Sequence, residues 1–374
     1  MMHELVALPS VSSEDLRHDS GNRAVIERLA GWLEPLGFAC ELMPVRGRDD
    51  KLNLIATRGQ GGGGLVLSGH ADTVPYDDNG WRSDPFDLVE RDERLYGLGI
   101  CDMKGFLALA VQVAAETADR PLKQPLILLA TADEESGMDG ARALVEARRP
   151  LARHAVIGEP TGLRPIRLHK GILMDAIRVH GRAGHSSRPD LGANAIEGMH
   201  AVLQWLLGFR EELVSRRSGR PFMLDHPTLN LGCLHGGDSA NRIPAHCELR
   251  IDLRYPPGQD GPAMRRELRE RLAAAFSVPG CRLDFETVFD GVPAFETAAG
   301  SEIVKSCEEL TGHEAGAVDF ATEGEFFNQL GMDTLILGPG DIDQAHQPDE
   351  FLRLDRIEPM LEVLRGLVRR YCLA

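Results

Sequence analysis

A short apolar run that ends on a histidine and an aspartate constrains this chain more than any other feature. Leu65, Val66 and Leu67 follow the flexible Gly61–Gly64 and stop at Gly69, so L-V-L-S-G-H-A-D-T at 65–73 is predicted as a buried strand. Its carboxyl end carries His70 and Asp72, and the carboxyl ends of strands are where open α/β sheets put their ligands. Residues i and i+2 of an extended segment point the same way. The Asp72 carboxylate is therefore expected to accept the spare imidazole N–H of His70 and fix its tautomer. A lone H-x-D is weak evidence, being far more often a hydrogen-bonded surface pair than a metal site. What changes its meaning is recurrence: apolar strands followed by acids or a histidine return along the chain.

In Y-G-L-G-I-C-D-M-K-G, Tyr96 to Gly105, the glycines allow close turns before an apolar helix that begins near Met103. Asp102 falls at that helix's amino end, where it can cap the helix, hold a metal, or do both with its two oxygens. Leu126 to Ala130 is another buried strand and runs into T-A-D-E-E-S-G. Adjacent Glu134 and Glu135 at a strand end raise each other's pKa unless a cation intervenes, and a metal would supply it. A-V-I-G-E-P-T, Ala155 to Thr161, repeats strand, glycine and carboxylate with Glu159. Far downstream, T-L-I-L-G-P-G is followed by D-I-D-Q-A-H-Q-P-D-E, which makes His346 the expected second imidazole.

The rest of the chain supplies scaffold. Val25, Ile26, Leu29, Trp32 and Leu33 line one face of a helix predicted over about 22–36, with Gly37 as its stop, and strands are predicted at 38–45 and 52–57. The segment from Asp77 to Arg94 is expected to be a long connection at the rim of the site. From Met174 to Thr287 no ligand cluster occurs, and the order of predicted elements is β-α-β-β-α-β, a small two-layer domain set inside a larger one. The 41 basic and 57 acidic residues give a net charge of −16, which disfavours nucleic acid or an anionic membrane as partner and favours a cationic small substrate. Seven cysteines without C-x-x-C spacing are expected to be reduced thiols of a cytoplasmic protein. The amino-terminal stretch lacks the features of an export signal, and no apolar run is long enough to span a bilayer.

Taken together these stretches resemble the M20 family of metallopeptidases. From about Leu5 onward, L-S-G-H-A-D-T-V-P, L-Y-G-L-G-I-C-D-M-K-G, A-T-A-D-E-E, G-E-P-T, G-R-A-G-H-S-S, N-R-I-P and G-P-G-D-I-D-Q-A-H-Q-P-D-E-F follow in the family's order. The resemblance implies an α/β, mixed-sheet metallohydrolase domain over 1–174 and 288–374, with an inserted two-layer α+β, ferredoxin-like lid and dimerisation domain over 175–287. It implies that His70 and Glu159 hold one metal, Glu135 and His346 the other, and that Asp102 bridges them. Glu134 would be the general base and Asp72 the support of His70. His185, in G-R-A-G-H-S-S, would stabilise the oxyanion across a dimer interface; read by itself it is a loop histidine held by Ser186 and Ser187. Asn241, Arg254 and, more weakly, Lys170 would bind substrate. Two histidines and three carboxylates suit two ions of Zn²⁺ or Co²⁺ per subunit better than Mg²⁺. The implied reaction is hydrolysis of N²-acetyl-L-ornithine to ornithine and acetate in arginine biosynthesis by a cytoplasmic homodimer. Acetylcitrulline or succinyl-diaminopimelate deacylation and dipeptide hydrolysis are the alternatives within the family. A metal-binding regulator without activity is a distant alternative, and the presence of Glu134 speaks against it.

Overall fold

The computed structural model describes every residue except 14, 16, 77–79, 150 and 374. In chain order its principal elements begin with α1 (Arg23–Leu33), β1 (Ala39–Val45), β2 (Arg48–Arg58), β3 (Leu65–His70), α2 (Lys104–Glu116), β4 (Leu126–Thr131), α3 (Asp139–Glu146) and β5 (His154–Ile157). They continue with β6 (Gly171–His180), α4 (Ala195–Val214), β7 (Thr228–Gly236), β8 (His246–Tyr255), α5 (Gly261–Ala275) and β9 (Arg282–Val292). The last are β10 (Asp333–Ile336) and α6 (Ile357–Val368). The chain divides into two compact units, Met1–Arg167 with Glu296–Ala317 and Thr322–Ala374, and Leu168–Phe295 with Val318–Ala321. No described helix is long and apolar enough to cross a membrane.

The first unit is built on a large mixed sheet in which β1, β2, β4, β3, β5 and β10 follow one another. β3, β4, β5 and β10 are mutually parallel neighbours, whereas β2 pairs with β4 antiparallel. Parallel strands are covered on both faces, and β3 and β4 are accordingly buried along their whole length. α1 presents Val25, Ile26, Leu29 and Leu33 to the core, and ends in a 3-10 turn, Glu34–Leu36, closed by Gly37 at φ 83°. Asn22 fixes the start of that helix to the sheet: its side chain donates to the Leu52 carbonyl at 2.9 Å and accepts from the Leu52 N–H at 2.8 Å. α2, apolar nearly all round, is buried through Phe106, Leu107, Leu109, Val111 and Val113 and packs against β3 and α6.

The segment from Asp77 to Arg94, expected to be a long connection, ends in a short hairpin. Residues 77–79 of it lie outside the described part. Val89–Arg91 pairs with Arg94–Tyr96, which pairs in turn with Phe351–Arg353. The helix after the second ligand cluster begins at Lys104 with Met103 in the capping position, so Asp102 is not its cap.

The second unit carries the antiparallel sheet β7-β8-β6-β9. Taking its strands in chain order, the spatial order is two-three-one-four, the ferredoxin-like arrangement expected of β-α-β-β-α-β. α4 and α5 cover this sheet, with Met199, Val202, Leu206 and Phe209 of one and Met264, Leu268 and Leu272 of the other packed on Ile177, Val179, Leu249 and Ile251.

Two glycines let the parallel strands close up at their carboxyl ends. A Cβ at Gly338 would overlap the carbonyl oxygens of Gly158 and Glu159, and one at Gly158 would enter the Phe106 ring. The backbone after β10 thus lies directly against the backbone that presents Glu159. Gly338→Ala should lower unfolding stability by about 1–3 kcal/mol, since backbone cannot yield as a flexible side chain does. Urea denaturation tests this, and an unchanged midpoint would mean that the two segments can move apart.

Candidate metal centre

Because β3, β4, β5 and β10 run the same way, the residues that follow them collect along one edge of the sheet. His70 is the last residue of β3, Glu134 and Glu135 lie in the turn after β4, and Glu159 lies just past β5. The chain beyond β10 turns through Ile342–Gln344 to reach His346, and Asp102 arrives from the loop that opens α2.

The glutamate turn is held from below. Asn53 accepts from the Ala132 N–H at 3.1 Å and donates to the Gly140 carbonyl at 2.9 Å. Asp133, at φ 56°, receives Ser12 Oγ at 2.9 Å and the buried Lys51 Nζ at 2.5 Å, while Lys51 also reaches Asp19 at 2.7 Å. A buried ammonium between two carboxylates therefore pins the turn that carries Glu134 and Glu135.

Asp102 stands at the centre of the cluster. One of its oxygens lies 3.0 Å from His70 Nε2 and the other 3.7 Å from His346 Nε2. His346 Nε2 is also 2.9 Å from Glu135 Oε2. Ligand-type atoms of His70, Asp102 and Glu135 lie within 4.8 Å of one another, and so do those of His70, Glu134 and Glu159. The five donors expected from the sequence thus come together, with Glu134 beside His70 and Glu159. Asp72 serves His70 differently from expectation. Its backbone carbonyl is 3.0 Å from His70 Nδ1, whereas its carboxylate comes no nearer than 3.7 Å and instead accepts from the Glu135 N–H at 3.1 Å. The ring tautomer is still fixed, with Nε2 left for the cluster.

So many carboxylates in one buried place disturb one another. Burial, and then repulsion from Glu159, push Glu134 well above the ordinary range; burial and Asp102 do the same to Glu159. Burial raises Asp72 to about 6. The histidines gain the complementary charge: in His70 burial opposes it but is outweighed by Asp102, which accepts from its Nε2, together with Asp72 and Glu159, and His346 rises to about 9 through its bond to Glu135. Buried Glu159 Oε1 and Asp72 Oδ1 have no hydrogen-bond partner. Imidazole and carboxylate donors, a carboxylate facing two histidines and orphaned acceptors together fit a pair of divalent cations.

Three further groups were not singled out from the sequence. Glu323 is fully buried, accepts from Thr131 Oγ1 at 3.0 Å and is pushed by burial to about 7. It precedes a short helix, Gly324–Gln329, with no apolar strand before it to mark it. Lys104 is buried and donates to the Leu8 carbonyl, and Glu350 is buried beneath the Asp102 loop. Both lie inside quoted motifs, where their own burial could not be read.

The remaining expected residues lie in the second unit. A two-residue ladder sets His185 opposite Arg242, and Ser186 N–H donates to the Asn241 carbonyl at 3.1 Å, so His185 and Asn241 share one corner. His185 is exposed, with Nδ1 2.8 Å from Ser187 Oγ. Arg254 forms a two-pronged pair with Asp252. Lys170 is buried, 3% exposed, and bound to Asp319 at 2.8 Å.

The profile of Peptidase family M20/M25/M40 matches residues 66–370. An acetylornithine deacetylase of Pasteurella multocida is 44% identical over 372 residues, which cover 100% of this chain and 97% of the relative. Among solved structures, an M20 family metallo-carboxypeptidase from Sulfolobus solfataricus superposes with a TM-score of 0.79 at 19% identity, covering 98% of this chain and 97% of that one. A dinuclear metal-binding peptidase of the M20 family from Bacillus subtilis does so with a TM-score of 0.68 at 14% identity, covering 98% and 95%.

The raised carboxyls predict how the metal-free protein responds to pH. Glu323 titrates near 4.5 ordinarily and at about 7 in the fold, so the folded chain binds the extra proton and loses that advantage as pH climbs through this window. Metal-free Glu323→Gln should therefore gain thermal stability relative to wild type between about pH 5 and 8. A melting-temperature difference that stays constant over that range would show that Glu323 is not held in a desolvated site.

Proposed function

The chain belongs to Peptidase family M20/M25/M40, and from that premise we propose that it removes the acetyl group from N²-acetyl-L-ornithine, releasing ornithine and acetate. The observation that carries this reading is the 44% identity to an acetylornithine deacetylase over the full length of this chain. It is a metal-dependent amidohydrolase in this reading, with His70 and Glu159 holding one ion, Glu135 and His346 the other, and Asp102 between them. When bound, two Zn²⁺ or Co²⁺ ions would polarise the amide carbonyl and make water a nucleophile near neutral pH.

The chain's own residues do the rest. Glu134 takes a proton from the attacking water and returns it to the departing α-amine, a role worth roughly 10² to 10⁴ in rate. Its raised affinity for a proton, caused by burial and by Glu159, suits that exchange. Asp72 orients His70 through its carbonyl and the glutamate turn through its carboxylate. Residues 175–287 act as a lid and dimerisation domain on the catalytic domain of 1–174 and 288–374. From that lid His185 donates to the developing oxyanion of the partner subunit's site. Asn241, Arg254 and Lys170 contact the substrate. The protein acts in the cytoplasm, in arginine biosynthesis, as a homodimer.

Acetate release from a panel of acyl amino acids tests the substrate. Acetylornithine should have the highest kcat/KM, and a clear preference for acetylcitrulline, succinyl-diaminopimelate or a dipeptide would move the chain to a neighbouring specificity. Exhaustive chelation should abolish turnover and lower the melting temperature, with Zn²⁺ or Co²⁺ restoring both. Glu134→Ala should keep its metals and lose most of kcat, whereas Glu135→Ala should lose affinity for one ion; the reverse pattern would exchange their roles.

Mixing inactive His185→Ala chains with inactive Glu134→Ala chains tests the shared site. Half of randomly paired dimers would be mixed, each with one whole site, so recovery should approach about a quarter of the wild-type rate. Heterodimers that form yet stay inactive would place His185 within its own subunit's site or outside catalysis.

A further inference from the structure

Asp102 can bridge two ions only if its short side chain starts from the right place, and the loop that carries it has no regular structure of its own. Gly99 in that loop takes φ 77°, and Asp102 stands before α2 without capping it. The group that holds the loop comes from the far end of the chain. Glu350 Oε1 accepts from the Cys101 N–H at 2.7 Å and from the Asp102 N–H at 3.0 Å, and its Oε2 accepts from the Gly99 N–H at 2.9 Å. The Glu350 carbonyl accepts a fourth bond from the Gly97 N–H at 3.1 Å. Only 2% of Glu350 is exposed. Converging amides of this kind form a nest for an anion, here filled by a side chain of the same protein.

We infer that Glu350 is the positioning residue of the bridge: by gathering the amides of Gly99, Cys101 and Asp102 it sets where the Asp102 carboxylate stands between the two ion sites. The inference rests on the dinuclear reading given above. Glu350 and His346 belong to one stretch, H-Q-P-D-E. That stretch therefore contributes a ligand to one ion and, through Glu350, fixes the ligand shared by both. His346 is itself tied to Glu135 at 2.9 Å, so a displaced Asp102 loop leaves the Glu135–His346 pair behind and opens the cluster in the middle. The side chain must be a carboxylate to satisfy three donors at once. A glutamine keeps one acceptor for Cys101 and Asp102 but turns an NH₂ toward the Gly99 N–H. An aspartate keeps both oxygens one methylene too far back.

Glu350→Gln and Glu350→Asp, each stripped of metal and then titrated with Co²⁺ in a calorimeter, provide the test. Visible absorption and electron paramagnetic resonance of the loaded protein report the bridge. Outer partners of metal ligands are typically worth about 10- to 100-fold in affinity. Wild type should take two ions per chain with spin coupling through the shared carboxylate. Both variants should bind the first ion within about threefold of wild type, weaken the second by at least tenfold, and lose the coupling. Their kcat should fall while KM stays within about threefold, since the substrate contacts are untouched. Two coupled ions in wild type, with affinities and spectra unchanged in both variants, would overturn the inference and leave the dinuclear reading standing. A wild-type chain that binds one ion, or two uncoupled ones, would overturn both. Thermal melts of the metal-free variants separate the remaining case: if neither folds, Glu350 serves the fold and not the bridge, and the inference fails.

Discussion

The arrangement of this protein depends on forcing negative charges together where water cannot separate them. Glu134, Glu159, Asp72, Glu323 and Glu350 are all shifted upward, in each case chiefly by burial. Carboxyls crowded in this way stay charged only beside a cation and otherwise hold protons. In the metal-free chain, His70 and His346 act as that cation in part, each drawn to a carboxylate. Metal binding exchanges those protons for ions, so affinity for metal and stability of the folded chain are coupled through the same side chains. Parallel pairing makes the crowding possible, because four strands pointing one way deliver their next residues to one place.

Support for the site comes from rigid parts rather than from the ligands themselves. Asn53 on β2 clamps both ends of the glutamate turn, buried Lys51 holds Asp133, and Glu350 gathers the loop of Asp102. None of these groups needs to touch substrate. Each fixes backbone, and a fixed backbone is what lets short side chains such as Asp102 meet a narrow geometric demand.

Much of this was legible in the sequence, for a physical reason. Strands buried on both faces must be continuously apolar, so Leu65–Leu67, Leu126–Ala130 and Ala155–Ile157 mark themselves, and the polar residues just beyond them gain meaning from that contrast. The order of elements in the second unit was readable because its half-exposed strands alternate, as β8 does. What escaped was whatever depended on tertiary contact. The period of an extended strand suggested that Asp72 would meet His70 by its carboxylate, but the strand ends at His70 and the chain turns, bringing the carbonyl instead. Lys170 was expected only as a weak substrate contact, and neither its burial nor its bond to Asp319 has a local signature; Glu323 has no local pattern at all. A buried acid outside a strand looks like any acid in a list of fifty-seven.

One feature of the second unit bears on how such a chain could acquire or exchange its insert. β6 and β9, the strands by which the chain enters and leaves, are hydrogen-bonded neighbours, and Ile172 faces Val292 across their ladder. A module whose two ends meet asks little of its host: the host must only span a narrow gap, whatever the length of chain between. Loop-closure entropy grows slowly with length, by about 0.6 kcal/mol for each doubling. Lengthening, shortening or replacing what lies beyond that doorway would thus leave the closure of the host sheet nearly unaffected. Selection could reshape the second unit while the cluster of histidines and carboxylates, which belongs to the first, stays as it is.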